Sequence, residues 1–266
     1  VIDTQDADLV VAAVDGVTGV TGAGAVVLTE AAANSRGIQV SENVATAAGG
    51  TIDLTADAGG TVTVDSGRSV SIADNAANVI TVNADLLSMP GTVNAGASGK
   101  VILAPVTAAV VIDLGATGQT VTEFGASSID IGQVTADLLQ LGDGGNTGGI
   151  TVSGAYTPGS KLSLVTGGTI SDAGANPITT TDLMLTATGA IGAADGIDTS
   201  VDNIAVSGGA QVAVVDSKAG GDLLVTTVDG VTGVTGAGAV ALSKTAGGQG
   251  IRLSENVTAA AGTGLT

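Results

Sequence analysis

A stretch of fourteen residues near the start of the chain comes back near its end, and no other feature restricts the fold as much. Asp15-Gly16-Val17-Thr18-Gly19-Val20-Thr21-Gly22-Ala23-Gly24-Ala25-Val26-Val27-Leu28 returns as Asp229-Gly230-Val231-Thr232-Gly233-Val234-Thr235-Gly236-Ala237-Gly238-Ala239-Val240-Ala241-Leu242, with Val27 against Ala241 the one difference. The offset, from position 15 to position 229, is 214 residues. After a one-residue deletion, Gly37-Ile38-Gln39-Val40-Ser41-Glu42-Asn43-Val44 reappears as Gly250-Ile251-Arg252-Leu253-Ser254-Glu255-Asn256-Val257. Upstream, Val1-Ile2-Asp3 aligns with Val214-Val215-Asp216. A long period is the mark of chains that build by stacking like units. We therefore read residues 1–266 as one continuous segment of a longer array: one period of about 213 residues (1–213) and the start of the next copy (214–266).

Within the period runs a shorter rhythm. Apolar pairs separated by one polar residue recur between Gly, Asn and Asp punctuation: Ile52/Leu54, Val62/Val64, Val70/Ile72, Ile80/Val82, Ile129/Ile131, Ile150/Val152, Leu162/Leu164, Leu183/Leu185, Ile204/Val206 and Leu223/Val225. Alternation at period two marks strands with one buried face. No amphipathic stripe at period 3.6 and no capped helical run accompanies it. The chain reads as all-β, made of very short strands.

A sandwich would need longer strands joined by two-residue hairpins, and usually a buried aromatic. Here Asn-Gly is absent and aromatics amount to 1%, one Tyr, one Phe and no Trp. A solenoid suits this composition, because rows of Val, Ile, Leu and Ala fill a narrow interior while the 43 glycines serve its corners. The expected fold is a right-handed parallel β-helix, or β-solenoid, with coils of about 20 residues, the handedness following the general preference of parallel crossovers. Pro90, Pro105, Pro158 and Pro177 all fall in the middle of the chain and belong at corners, where no ladder donor is lost.

Composition also removes whole classes of chemistry. With no Cys and no His, the chain has no disulfide scaffold, no thiolate or imidazole zinc site and no His-dependent triad. A net charge of −18, from 25 acidic and 7 basic residues, argues against nucleic acid and anionic lipid as partners. The longest strongly apolar run, Val101 to Ile112 and broken by Pro105, falls short of the ~20 residues needed for a membrane-spanning helix, so no membrane insertion is expected.

Candidate sites are few. Asp53, Asp57, Asp65, Asp74 and Asp85 are scattered over turns and exposed strand positions, and the cations Arg36, Arg68, Lys100, Lys161, Lys218, Lys244 and Arg252 are spread evenly. Neither distribution builds the carboxylate pair with a cation that a polysaccharide-active enzyme needs. Leu141-Gly142-Asp143-Gly144-Gly145-Asn146-Thr147-Gly148-Gly149 has one degenerate copy of a calcium-binding nonapeptide where tandem copies are required. Gly16 to Gly24 lacks the Lys-Ser/Thr of a phosphate loop and reads as corners. Thr61/Thr63 and Thr179 to Thr181 do not continue as a ladder, and Asn256-Val257-Thr258 is a lone glycosylation triplet. We assign no catalytic, cofactor-binding or metal-binding residue and no cofactor. The acidic surface leaves room for weak Ca²⁺ binding.

Coils such as Asp182-Leu183-Met184-Leu185-Thr186-Ala187-Thr188-Gly189-Ala190-Ile191-Gly192 and Asp202-Asn203-Ile204-Ala205-Val206-Ser207-Gly208-Gly209-Ala210 resemble the rod repeats of filamentous-haemagglutinin-type large exoproteins of Gram-negative bacteria. The resemblance implies a β-helical rod, export by two-partner secretion or an autotransporter route, and work at the cell surface in adhesion, aggregation or biofilm. That family's secretion domain has no counterpart here, Asn176-Pro177-Ile178 being an isolated Asn-Pro pair. The expectation is a non-enzymatic structural segment of an extracellular fibre or adhesin, partnered by further copies of itself in tandem or end to end and by any receptor on a host or neighbouring cell. An acidic, calcium-organised surface-layer protein and a β-helical polysaccharide enzyme are the alternatives.

Overall fold

The computed structural model describes residues 1–32, 34–115, 123–126 and 132–266, the strand Glu123–Ala126 by its backbone alone. Phe124 stands in that strand, and the Ile129/Ile131 pair lies outside the described residues. Among the described residues every regular element is a β-strand, and the fold is a parallel β-solenoid of about ten turns. The four prolines all stand outside the strands. The contacts divide the chain into two units, residues 1–110 with 118–141 and residues 111–117 with 142–266.

In the first unit each turn contributes three strands. One turn runs Ala25–Glu30, Ile38–Val40, Val44–Thr46, and the next Thr51–Thr55, Thr61–Val64, Ser69–Ile72. A third runs Val79–Asn83, Leu86–Ser88, Thr92–Asn94. Equivalent strands pair in parallel: Ala25 opposite Thr51, Thr51 opposite Val79, and Val79 opposite Lys100, at offsets of 26, 28 and 21 residues. This register stacks Val26, Ile52, Ile80, Val101 and Leu139 in one inward column and Leu28, Leu54, Val82, Leu103 and Leu141 in the next. All ten are at most 6% exposed. Each such side chain contributes roughly 1.5–3 kcal/mol by leaving water. Rows repeating every ~4.8 Å need no aromatic ring to fill the space between them.

The second unit stacks Lys161–Thr166, Asp182–Ala187 and Asn203–Gly208, with Leu162 opposite Leu183 and Leu183 opposite Ile204. These 21-residue coils match the expected length, and the longer turns raise the mean to about 24. Another ladder runs through Ile178–Thr179, Ile197–Ser200, Val212–Asp216 and Val240–Lys244. At Asn203–Gly208 the first ladder forks. Its first half is continued by Leu223–Val225 and its second by Val234–Gly236.

Between the fork's arms stands an antiparallel hairpin, Thr227–Val228 against Val231–Thr232. Its counterpart in the first unit closes through Val14 N–H to Val17 O at 2.9 Å and Val17 N–H to Val14 O at 3.0 Å. The absence of Asn-Gly argued against tight hairpins, and here the structure corrects the sequence reading. Asp15 and Gly16 (φ 50° and 80°) and Asp229 and Gly230 (φ 45° and 80°) take the left-handed conformations that a type I′ turn requires. Gly16 is thus a hairpin residue and not a corner. Both hairpins are excursions from ladders that remain parallel.

The repeat is structural as well as sequential. Leu9 faces Ile38 as Leu223 faces Ile251, Val20 faces Val44 as Val234 faces Val257, and Ile2 faces Thr29 as Val215 faces Ser243. Even the close approach at the corner is shared. At Gly19 and Gly233, both with φ 70°, a Cβ would stand 2.2 and 2.3 Å from the carbonyl oxygens of Asn43 and Asn256.

Candidate functional site

The scattered aspartates join neighbouring turns. Asp57 accepts from Ser35 N–H at 3.1 Å, Asp65 from Ser41 Oγ at 2.7 Å and Asp74 from Ser98 N–H at 3.0 Å, each partner 22 to 24 residues away along the chain. Asp53 accepts within its own strand, from Thr55 Oγ1 at 3.0 Å. Asp85 stands at the expected turn position, in the bend between Val79–Asn83 and Leu86–Ser88, but not on the surface. It is fully buried, where it accepts from Gly59 N–H, Thr107 N–H and Thr107 Oγ1. A carboxylate satisfied by three donors tolerates such burial. Among the described residues, no group of three or more carboxylates is placed to hold a metal ion.

Carboxylates pair with several of the cations: Asp6 with Arg36, Glu42 with Arg68, Asp202 with Lys218 and Asp216 with Lys244. The exposed Arg36 guanidinium, by hydrogen bond and charge, holds the Asp6 carboxyl below its ordinary range. Lys244 and Asp216 differ from the other pairs in being buried. At the position matching Lys244 the first copy has Glu30, whose Oε1 accepts from Ala32 N–H while its buried Oε2 has no partner. Tyr156 is buried with its hydroxyl unpartnered, and burial pushes the phenol well up from its ordinary value.

Among the depressions of the described surface are two with polar residues in their linings. One of about 280 Å³ is lined by Asp8, Ser35, Gly37, Gln39, Thr61 and Thr63. The other, about 150 Å³, includes Thr169, Ser171, Asp172 and Asp195 in its lining. Both are smaller than ordinary ligand pockets, and neither lining includes a Lys or Arg. Burial raises the Asp172 carboxyl, and the charges of Asp198 and Asp195 add to the rise, against N–H groups of Asp198 and Gly174. The folded state therefore holds this proton more tightly than the unfolded chain does. Its stabilising contribution is complete below the ordinary carboxylate range and is lost as pH rises through the raised value. As pH rises above the ordinary carboxylate range, stability of the second unit should thus fall more steeply in the parent than in Asp172→Asn, as read by chemical denaturation. Parallel curves would show that Asp172 has no such linkage.

The motifs picked from the sequence stay apart. In the stretch from Leu141 to Gly149, Asp143 Oδ1 caps a turn by accepting from Gly145 and Asn146 N–H, and the buried Asn146 accepts from Thr166 Oγ1. Thr61 and Thr63 line the larger depression. What the sequence reading missed is the docked hairpin. Asp229 Oδ2 accepts from Ser163 Oγ at 2.8 Å, and Val228 packs with Met184 and Ala205, flanked by Val165 and Val231. The signal was present in the Val-Asp-Gly-Val sequence and in runs such as Leu183-Met184-Leu185, which break strict alternation. Fold and geometry define a β-solenoid repeat protein. Against protein-family models, curated proteins and solved structures alike, the chain has no match.

Proposed function

We propose that this chain is a rod-building segment of a giant extracellular repeat protein of the filamentous-haemagglutinin type, serving a Gram-negative cell as a surface fibre or adhesin for attachment, aggregation or biofilm. Residues 1–266 supply length and stiffness rather than catalysis, as one continuous stretch whose partners are further copies of the same period. One observation carries this reading: the start of the second copy repeats the registers of the first, and its strands stack on coils that close the preceding period. A period whose end accepts its own beginning is suited to indefinite extension. The parallel edge left at either end of such a stack is a template for the next strand.

Electron micrographs of chains carrying one, two and three periods test the proposal. With coils of about 24 residues rising ~4.8 Å each, every added period should lengthen the particle by about 40 Å at constant width. Particles that thicken or round up instead would overturn it. A large fall in melting temperature on adding chelator would favour the calcium-organised alternative.

A further inference from the structure

The two Val-Asp-Gly-Val hairpins have the same sequence but different surroundings. In the second unit, Val228 is 6% exposed and lies over Met184 and Ala205, while Asp229 takes the Ser163 hydroxyl. Ser163, Met184 and Ala205 are register partners on three successive strands, on the outward side of the ladder. That outward row is buried: in Lys161–Thr166, Asp182–Ala187 and Asn203–Gly208 the three residues from Leu162, Leu183 and Ile204 onward are all buried, none more than 4% exposed. Strands of the first unit such as Thr61–Val64 and Ser69–Ile72 instead alternate strictly, with no outward residue buried. In the first copy the hairpin covers nothing, and Val14 and Val17 are 71% and 70% exposed.

We propose that the Val14–Val17 hairpin is a latch between periods. It docks on residues 161–208 of a second copy of this period placed before it, as the Val228–Val231 hairpin docks within this chain. Asp15 receives the serine hydroxyl equivalent to Ser163, and Val14 and Val17 cover the Met184 and Ala205 equivalents. The inference deepens the tandem reading above and rests on it. Its occupant is fixed by the repeat, because the strands flanking both hairpins share one register. The need for a latch comes from the fork. Where one six-residue strand hands over to two three-residue strands, the apolar outward row of the last coils must be covered, and the residues looping out between the two short strands stand directly over it.

The test extends the full chain at its N-terminus by one further period, residues 1–213, and follows hydrogen exchange by mass spectrometry. A substitution of the exposed Ala7→Ser marks peptides of the downstream copy by mass. Exchange over Val14–Val17 of that copy should slow at least about tenfold relative to the 266-residue chain, reaching the level of Val228–Val231. The amides of Val10 and Ala12 report separately on coil stacking, since their counterparts Leu224 and Thr226 donate to Asp202 O and Ile204 O. Slow exchange at Val10 and Ala12 with a hairpin that stays fast would overturn the latch and leave the tandem reading standing. No change at either place would overturn the tandem reading itself. Adding Asp15→Ala and Val17→Asp to the downstream copy should restore fast exchange at the hairpin alone, and hairpin protection that survives both substitutions would equally overturn the latch.

Discussion

Lys244→Met should lower the stability of the second unit by about 3–5 kcal/mol, among the largest losses available to a single side chain in this fold. Asp216 is inaccessible, and its Oδ1 accepts from Thr199 Oγ1 at 3.0 Å and Val201 N–H at 2.9 Å. Lys244 Nζ closes the other oxygen and also donates to Lys218 O. The side chains of the pair are 3% and 0% exposed, so solvent cannot compensate when the ammonium goes. Methionine keeps the apolar stem and leaves a carboxylate with neutral donors only, which separates loss of charge from loss of packing. The double variant Lys244→Met with Asp216→Leu should recover part of the loss, because the uncompensated charge rather than the missing bridge dominates the cost. Denaturation of the unit, followed by exchange of the amides in Ile197–Ser200 and Val212–Asp216, measures both. A single variant within about 1 kcal/mol of the parent would show that water reaches Asp216.

The matching site in the first copy carries the opposite charge at one position. Asp3 faces Glu30 there as Asp216 faces Lys244. Two acidic residues opposed at one register, one with an unpartnered buried oxygen, make this the weaker version of the same joint. Glu30→Lys transplants the downstream arrangement and should raise the stability of the first unit.

The extent to which the fold was legible follows from which physics is local. Alternation at Ile52/Leu54 or Ile80/Val82 states which side of a strand is wet, and the columns formed by those residues follow at once from parallel stacking. Corner glycines and the 214-residue return were equally plain. Departures arise where a distant segment decides. Asp85 and Asn78 look like turn residues, and burial comes to them only because neighbouring turns bring donors or carbonyls to meet them. Coil length varied in the links between strands and not in their number, since the three-strand turn from Val79 to Lys100 spans 21 residues while those from Ala25 to Thr51 and from Thr51 to Val79 span 26 and 28. The Asp-Gly hairpins were hidden by an argument about sheet type: a chain whose ladders are parallel has no evident use for an antiparallel turn until the fork at Asn203–Gly208 is seen. As to a site, no residue was singled out, and the feature of most consequence, the serine–aspartate contact under the hairpin, joins positions 163 and 229, which no local pattern connects.

Asn78→Asp should be more damaging than Asn78→Ala at neutral pH, although it changes the fewest atoms. Asn78 is inaccessible. Its Oδ1 accepts from Gly49 N–H at 2.8 Å, and its Nδ2 donates to Ala73 O and Ala95 O, both at 2.8 Å. One amide thus ties a corner of the preceding turn to its own turn and the following one. Alanine leaves one N–H and two carbonyls without this partner, a loss of about 3–5 kcal/mol at 1–3 kcal/mol per orphaned group after partial relaxation. Aspartate keeps the bond from Gly49 but aims a second anionic oxygen at two carbonyl oxygens in a site closed to water. The charged form is therefore strongly disfavoured, and the folded-state pKa of the new carboxyl rises above its unfolded value. Its contribution to stability is then present below the ordinary carboxylate range, where the protonated O–H can donate to Ala73 O or Ala95 O, and is lost as pH rises. The Asp variant should approach or exceed the Ala variant near pH 4 and fall below it by about pH 7, in denaturation curves collected across that range. Curves for the two that never cross, with Asp the more stable at neutral pH, would mean that the corner opens to admit water and that the asparagine is not what clamps the three turns together.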